Sequence, residues 1–141
     1  MRYWDTSAIV PLFVAESTTD VTRSWLRDDV VIVTWAWSRV EIASAIERRT
    51  REGELSRDQR RSVMRCLEEF SATWHEVVEM LAVRSRSMSL LARHPLRAVD
   101  AAQLGAALHV QEQLGAPLQF VCLDRHLGEA AEREGLAVVS T

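Results

Sequence analysis

Short β-type runs alternate with amphipathic helical patterns along the whole chain, and this alternation constrains its fold more than any other feature. Tyr3-Trp4, Val30 to Val33, Val77-Val78, Leu118 to Leu123 and Ala137 to Val139 read as strands. Helical periodicity covers about 7 to 14, 18 to 28, 36 to 51, 56 to 72, 80 to 93, 97 to 114 and 126 to 134. Gly53, Gly115 and Gly135 fall where three of those helices should end. Strands regularly separated by helices predict an α/β fold, a parallel sheet flanked by helices with right-handed crossovers. At 141 residues, with no repeat, linker or low-complexity tract, residues 1–141 are expected to form one domain.

In such a sheet, ligands gather beyond the carboxyl ends of the strands. Asp5 follows the first strand there, and Asp124 ends the apolar run "LQFVCLD". Two helices add acids on inward faces. Glu41 in "SRVEIASAIERR" adjoins the stripe of Ile42, Ala45 and Ile46, while Asp100 aligns at i+4 and i+8 with Leu104 and Leu108. Each acid also has a structural reading. Asp5 and Asp124 could cap the following helices, Asp100 could complement a helix N-terminus, and Glu41 could be solvated beside Arg48 or Arg49. Capping does not require carboxylates on two inward helix faces, where they are costly unless paired or bound to metal.

The stretches "YWDTSAIVPLFVAE", "SRVEIASAIERR", "HPLRAVDAAQLGAAL" and "FVCLDRHLGEAAEREGLAVV" resemble, in order, the four acidic motifs of PIN-domain ribonucleases, in particular the VapC-type toxins of bacterial toxin-antitoxin pairs. The resemblance spans essentially the whole chain. It implies a PIN-like α/β/α sandwich, with Asp5, Glu41, Asp100 and Asp124 as catalytic acids holding divalent metal and the hydroxyl of Thr6 or Ser7 assisting at the substrate. It further implies a cognate antitoxin and a homodimer. The fourth motif, "CLDRHL", is the least distinctive of the set.

The residue chemistry is compatible with that implication. Oxygen-only ligands suit Mg²⁺ or Mn²⁺, which accept phosphate oxygens and acidify a bound water. The reaction expected is metal-assisted hydrolysis of an RNA phosphodiester. Acids converging on one pocket should repel one another and raise some of their pKa values. His75, His94, His109 and His126 are scattered, without a spacing that suggests paired catalysts; His126, two residues after Asp124, is the nearest rival. All 17 cationic side chains are arginine, which excludes chemistries that need a lysine amine. An aspartyl-nucleophile phosphatase is disfavoured because "DTS" lacks a second aspartate two positions on. A non-catalytic module that only dimerises and binds a partner is the alternative from another class.

A net charge of -3 argues against indiscriminate nucleic-acid binding but not against a local patch. Arg57, Arg60 and Arg61, within a cluster that includes Arg48, Arg49, Arg51 and Arg65, are the candidate RNA contacts; pairing with Glu47, Glu52, Glu54 and Glu68 is the competing reading. Trp4 and Trp74 are expected in the core, and one of Trp35 and Trp37 at the surface. Cys66 and Cys122 read as reduced, mostly buried thiols. Neither a secretion signal nor a membrane span is present in this sequence, so a cytoplasmic protein is expected.

Overall fold

The computed structural model describes residues 1–141. In chain order the elements are β1 (Arg2–Trp4), α1 (Thr6–Phe13), α2 (Thr19–Asp28), β2 (Ile32–Trp35), α3 (Ser38–Arg51), α4 (Arg57–Ser71), β3 (His75–Val77), α5 (Met80–Arg93), α6 (Ala98–Leu114), β4 (Gln119–Val121), α7 (Arg125–Arg133) and β5 (Ala137–Val139). The five strands form one parallel sheet in the order β3-β2-β1-β4-β5.

A parallel sheet must be covered on both faces, and strand periodicity sorts the side chains accordingly. Tyr3, Val33 and Phe120 point into a core shared with α5, α6 and α7. Their neighbours Trp4, Ile32 and Val121 point into a second core shared with α1, α3 and α4, against which Trp25 and Leu26 of α2 also pack. The result is the expected α/β/α sandwich. Trp4 and Trp74 are buried as anticipated. Helix α6 is buried on every side from Asp100 to Ala107, which explains its run of small residues. At Gly105 a Cβ would stand 3.1 Å from Ser87 Oγ and 3.2 Å from the Val83 carbonyl, so α5 and α6 approach closely there.

Strand boundaries moved where apolar runs outlast their pairing. The run at Val30 to Val33 starts too early: parallel pairing begins at Ile32, opposite Arg2, and extends through Trp35, leaving Val30 exposed. β3 likewise ends at Val77, with Val78 exposed. Cys66 is exposed, contrary to expectation, because it lies on the outer side of α4; Cys122 is buried. Gly53, Gly115 and Gly135 all take positive φ next to helix ends, a conformation that costs glycine least. No helix is long and apolar enough to cross a membrane.

The strand order places a crevice at one edge of the sheet. β1 leads to β2 and β3 on one side, whereas β4 and β5 extend the sheet on the other. The connection therefore reverses between the adjacent strands β1 and β4, and a crevice opens beyond their carboxyl ends.

Candidate active site

Asp5 directly follows β1 and Asp124 lies just beyond β4, so both stand at that switch point. Asp5 is the N-cap of α1, its Oδ2 accepting the Ser7 N–H at 2.9 Å. Asp124 caps α7, its Oδ1 accepting the Leu127 N–H at 3.0 Å. Glu41 and Asp100 occupy the first turns of α3 and α6. All four acids thus sit at helix N-termini, where the positive ends of the macrodipoles favour negative charge by about 0.3–1 kcal/mol each. Capping and site formation therefore coincide for Asp5 and Asp124.

One cleft of about 520 Å³ is lined by Asp5, Glu41, Asp100 and Asp124 together with Thr6 and Ser7. The structure thus brings together six of the nine residues expected at the site. Arg57, Arg60 and Arg61 do not line it. Arg60 instead pairs with Glu47 across the α3–α4 hairpin, and Arg61 lies 3.9 Å from Asp58. The arginines of the cleft are Arg48 and Arg97. None of the four histidines lines it. His126 is exposed on α7, and His94 is buried against Glu134 at 2.6 Å.

A buried hydrogen-bond chain supports the cleft from beneath. Gln103, one turn after Asp100, accepts the Tyr3 hydroxyl at 2.7 Å through Oε1. Its amide nitrogen stands 2.9 Å from Thr6 Oγ1, 2.9 Å from Ser38 Oγ and 2.8 Å from Glu41 Oε1. Those are more acceptors than its hydrogens can serve at once. Thr34 donates to the Trp4 carbonyl at 2.8 Å, so the Ser38 hydroxyl, 2.7 Å away, donates to Thr34 and accepts from Gln103. Ser7 Oγ accepts the Leu123 N–H at 3.0 Å, tying α1 to the end of β4. The hydroxyls of Thr6 and Ser7 are therefore engaged in positioning. Gln103 is the residue missed at the sequence level; its signal was the i+3 spacing from Asp100 on the same face.

The carboxylates differ in their balance of charge. Burial raises the Asp5 pKa, and the Asp100 charge adds to it against the hydrogen bonds from Ser7. Glu41 is pushed up to about 7, first by burial and then by the charges of Asp5 and Asp100, against the hydrogen bond from Gln103. Asp100 is instead compensated: Arg97 Nε stands 2.7 Å from Oδ2 and Arg97 Nη2 3.0 Å from Oδ1. The same guanidinium lies 3.9 Å from Asp124 Oδ2. Glu41 is not solvated beside Arg49, which pairs with Glu16 and Glu54. Cys122 lies under the cleft, 3.8 Å from Asp5 Oδ2, and burial pushes its thiol well above the usual range, so it is no nucleophile.

The Glu41 shift has a testable consequence. Its folded pKa lies above the unfolded value, so ionisation opposes folding; this cost is absent below about 4.5, grows as pH rises toward 7 and is full above that. Glu41→Gln keeps an acceptor for Gln103 and removes the charge. It should melt like wild type at acid pH and be more stable above pH 7 by about 1–2 kcal/mol, a value discounted because water still reaches the group. Melting curves across that range in EDTA check it; a variant less stable at pH 8 would mean that the Glu41 charge is satisfied.

As it stands, no group of three or more His, Cys, Asp or Glu side chains is arranged to hold a metal ion. The donor set is nevertheless all oxygen, as Mg²⁺ or Mn²⁺ requires, and burial and neighbouring acids disfavour the ionised form of Asp5 and Glu41, a cost a cation would relieve. The residues fit such a cation chemically, on condition that Arg97 releases Asp100.

No family model matches the sequence, and no curated protein does. Among solved structures, a chain of FitAB bound to an IR36 DNA fragment superposes with a TM-score of 0.64 at 15% identity, covering 99% of this chain and 94% of that one. The shared architecture is a PIN-like α/β/α sandwich.

Proposed function

We propose that this chain is a Mg²⁺- or Mn²⁺-dependent endoribonuclease that hydrolyses RNA phosphodiester bonds, and that it is the toxin of a toxin-antitoxin pair. The observation that carries the reading is the convergence of Asp5, Glu41, Asp100 and Asp124 on one cleft at the switch point of the sheet. Such a cation supplies charge neutralisation at the scissile phosphate and a water acidic enough to attack it. Asp5, Asp100 and Asp124 would hold it, with Glu41 completing the set. Arg97 would move from Asp100 to the phosphate, for which its planar fork is suited. Gln103 would hold Glu41 and Thr6 in place throughout.

The partner reading rests on analogy of fold with a chain of FitAB, and on the resemblance to VapC-type toxins. A cognate antitoxin and a homodimer in the cytoplasm follow from it. Leu81, Met88 and Leu91 on α5 leave apolar side chains exposed that a dimer would cover.

The competing reading, a non-catalytic binding module, is favoured by one observation: Arg97 already occupies both Asp100 oxygens. The two readings diverge in a metal titration. Under the first, Mg²⁺ or Mn²⁺ raises the melting temperature, by the equivalent of about 2.7 kcal/mol at a hundredfold excess over Kd, and single-stranded RNA is cut with metal but not in EDTA. A flat titration without cleavage leaves the module.

The placement of the arginines makes a separate expectation. Changing Arg48 and Arg97 to Gln should lower the log-log salt slope of single-stranded RNA binding by about 1.4, the loss of two phosphate contacts. The Arg57, Arg60 and Arg61→Gln triple variant should leave the slope near wild type, since Arg60 is already paired with Glu47. The opposite result would run the RNA across α4.

A further inference from the structure

Trp37 is the feature of the cleft that hydrolysis alone does not use. It immediately precedes α3, lines the same cleft as the four acids, and is 49% exposed. Its indole is packed beside the buried Trp35, with ring centroids 6.4 Å apart and planes 38° apart. One of the pair is thus at the surface, as expected, while the two rings remain packed together. A large ring held against a buried neighbour and left half in water is a rigid platform whose exposed area still has something to gain from being covered. Val40 and Val99, also exposed, line the cleft and extend its apolar lip. Arg48 and Arg97 line it too.

Aromatic, guanidinium and carboxylate groups in one cleft match the parts of a nucleotide. A flat base needs a ring, a phosphate needs a guanidinium, and the carboxylates serve the scissile bond. In a duplex the faces of the bases are covered by their neighbours, so only an unpaired base can lie on an indole. We propose that Trp37 stacks an unpaired base next to the scissile phosphate and so positions the RNA in the cleft. The inference rests on the nuclease reading for its site but is measured without cleavage.

The probes are a short mixed-sequence single-stranded RNA and the same strand annealed to its complement, each titrated into the full chain in EDTA while tryptophan fluorescence is followed. Wild type quenches with the single strand and binds it more tightly than the duplex. Trp37→Ala loses the quench and about tenfold in single-strand affinity, within the range for removing one base stack. Its duplex binding does not change, and Trp37→Phe recovers most of the loss. With Mg²⁺ present, the Trp37→Ala defect falls on KM rather than kcat. Quenching that depends on Trp37 without any cleavage sinks the nuclease reading and keeps the stack. Cleavage with an unaltered KM in Trp37→Ala does the reverse. Equal affinity of Trp37→Ala and wild type for the single strand, preference for the duplex, or no RNA binding overturns the inference. So does a Trp37→Ala defect confined to binding of a protein partner.

Discussion

Asp5→Asn and Asp100→Asn should each lower RNA cleavage by at least about 100-fold while leaving the fold intact. The loss follows from removing one charged ligand: several kcal/mol of charge stabilisation disappear from the transition state, and each 1.36 kcal/mol is tenfold in rate. The intact fold follows from the geometry of each side chain. Asparagine caps a helix as well as aspartate does, so residue 5 can still accept the Ser7 N–H, and the cost of burying a charge at that position is removed. At position 100 the variant gives up the fork to Arg97, whose side chain is 77% exposed, and such pairs contribute little net stability. Circular dichroism, melting in EDTA and a cleavage assay decide the matter. Wild-type-like turnover in either variant removes that residue from the site. A collapsed fold in Asp5→Asn would instead mean that its charge, and not only its hydrogen bond, holds α1 to the sheet.

The asymmetry between what was and was not legible in the sequence is physical. Helix and strand order could be read because periodicity is a local signal, and α5 was anticipated to the residue over 80 to 93. The four acids could be read because each sits beside a recognisable local feature, a strand end or an apolar helical stripe. Partners distant in sequence could not. The densest run of arginines lies on α3 and α4, yet Arg60 turns to Glu47 and Arg49 to Glu16, thirteen and thirty-three positions away. Charge counted along a chain does not say which charges meet. Of the cations that line the cleft, Arg48 belongs to that run, but Arg97 stands apart from it at the start of a helix on the opposite face of the sheet. The sheet order, which sets β1 against β4 and thereby joins Asp5 to Asp124, is likewise a long-range choice.

Gln103→Leu should destabilise the protein by about 2–4 kcal/mol, although leucine nearly matches glutamine in volume and suits the apolar surroundings of α6. Gln103 is fully buried and accepts the Tyr3 hydroxyl, itself buried among Phe120 and the α6 side chains. Leucine takes the Gln103 partner from that hydroxyl in a place water does not reach, and the two amide hydrogens shared among Thr6, Ser38 and Glu41 are lost as well. Removing one partner of a buried polar group costs its full desolvation, whereas removing both is close to neutral. The decisive measurement is therefore a double-mutant cycle. Tyr3→Phe alone should cost about 1 kcal/mol, and Tyr3→Phe combined with Gln103→Leu should cost clearly less than the sum, with a coupling of about 0.5–3 kcal/mol. Strict additivity in denaturant melts would mean that water satisfies Tyr3 in the absence of Gln103. The Glu41 side chain supplies a second readout, because it loses the hydrogen bond that pulls its pKa down. Gln103→Leu should thus deepen the loss of stability as pH rises through 7, a pH dependence that a mere packing defect at position 103 would not produce.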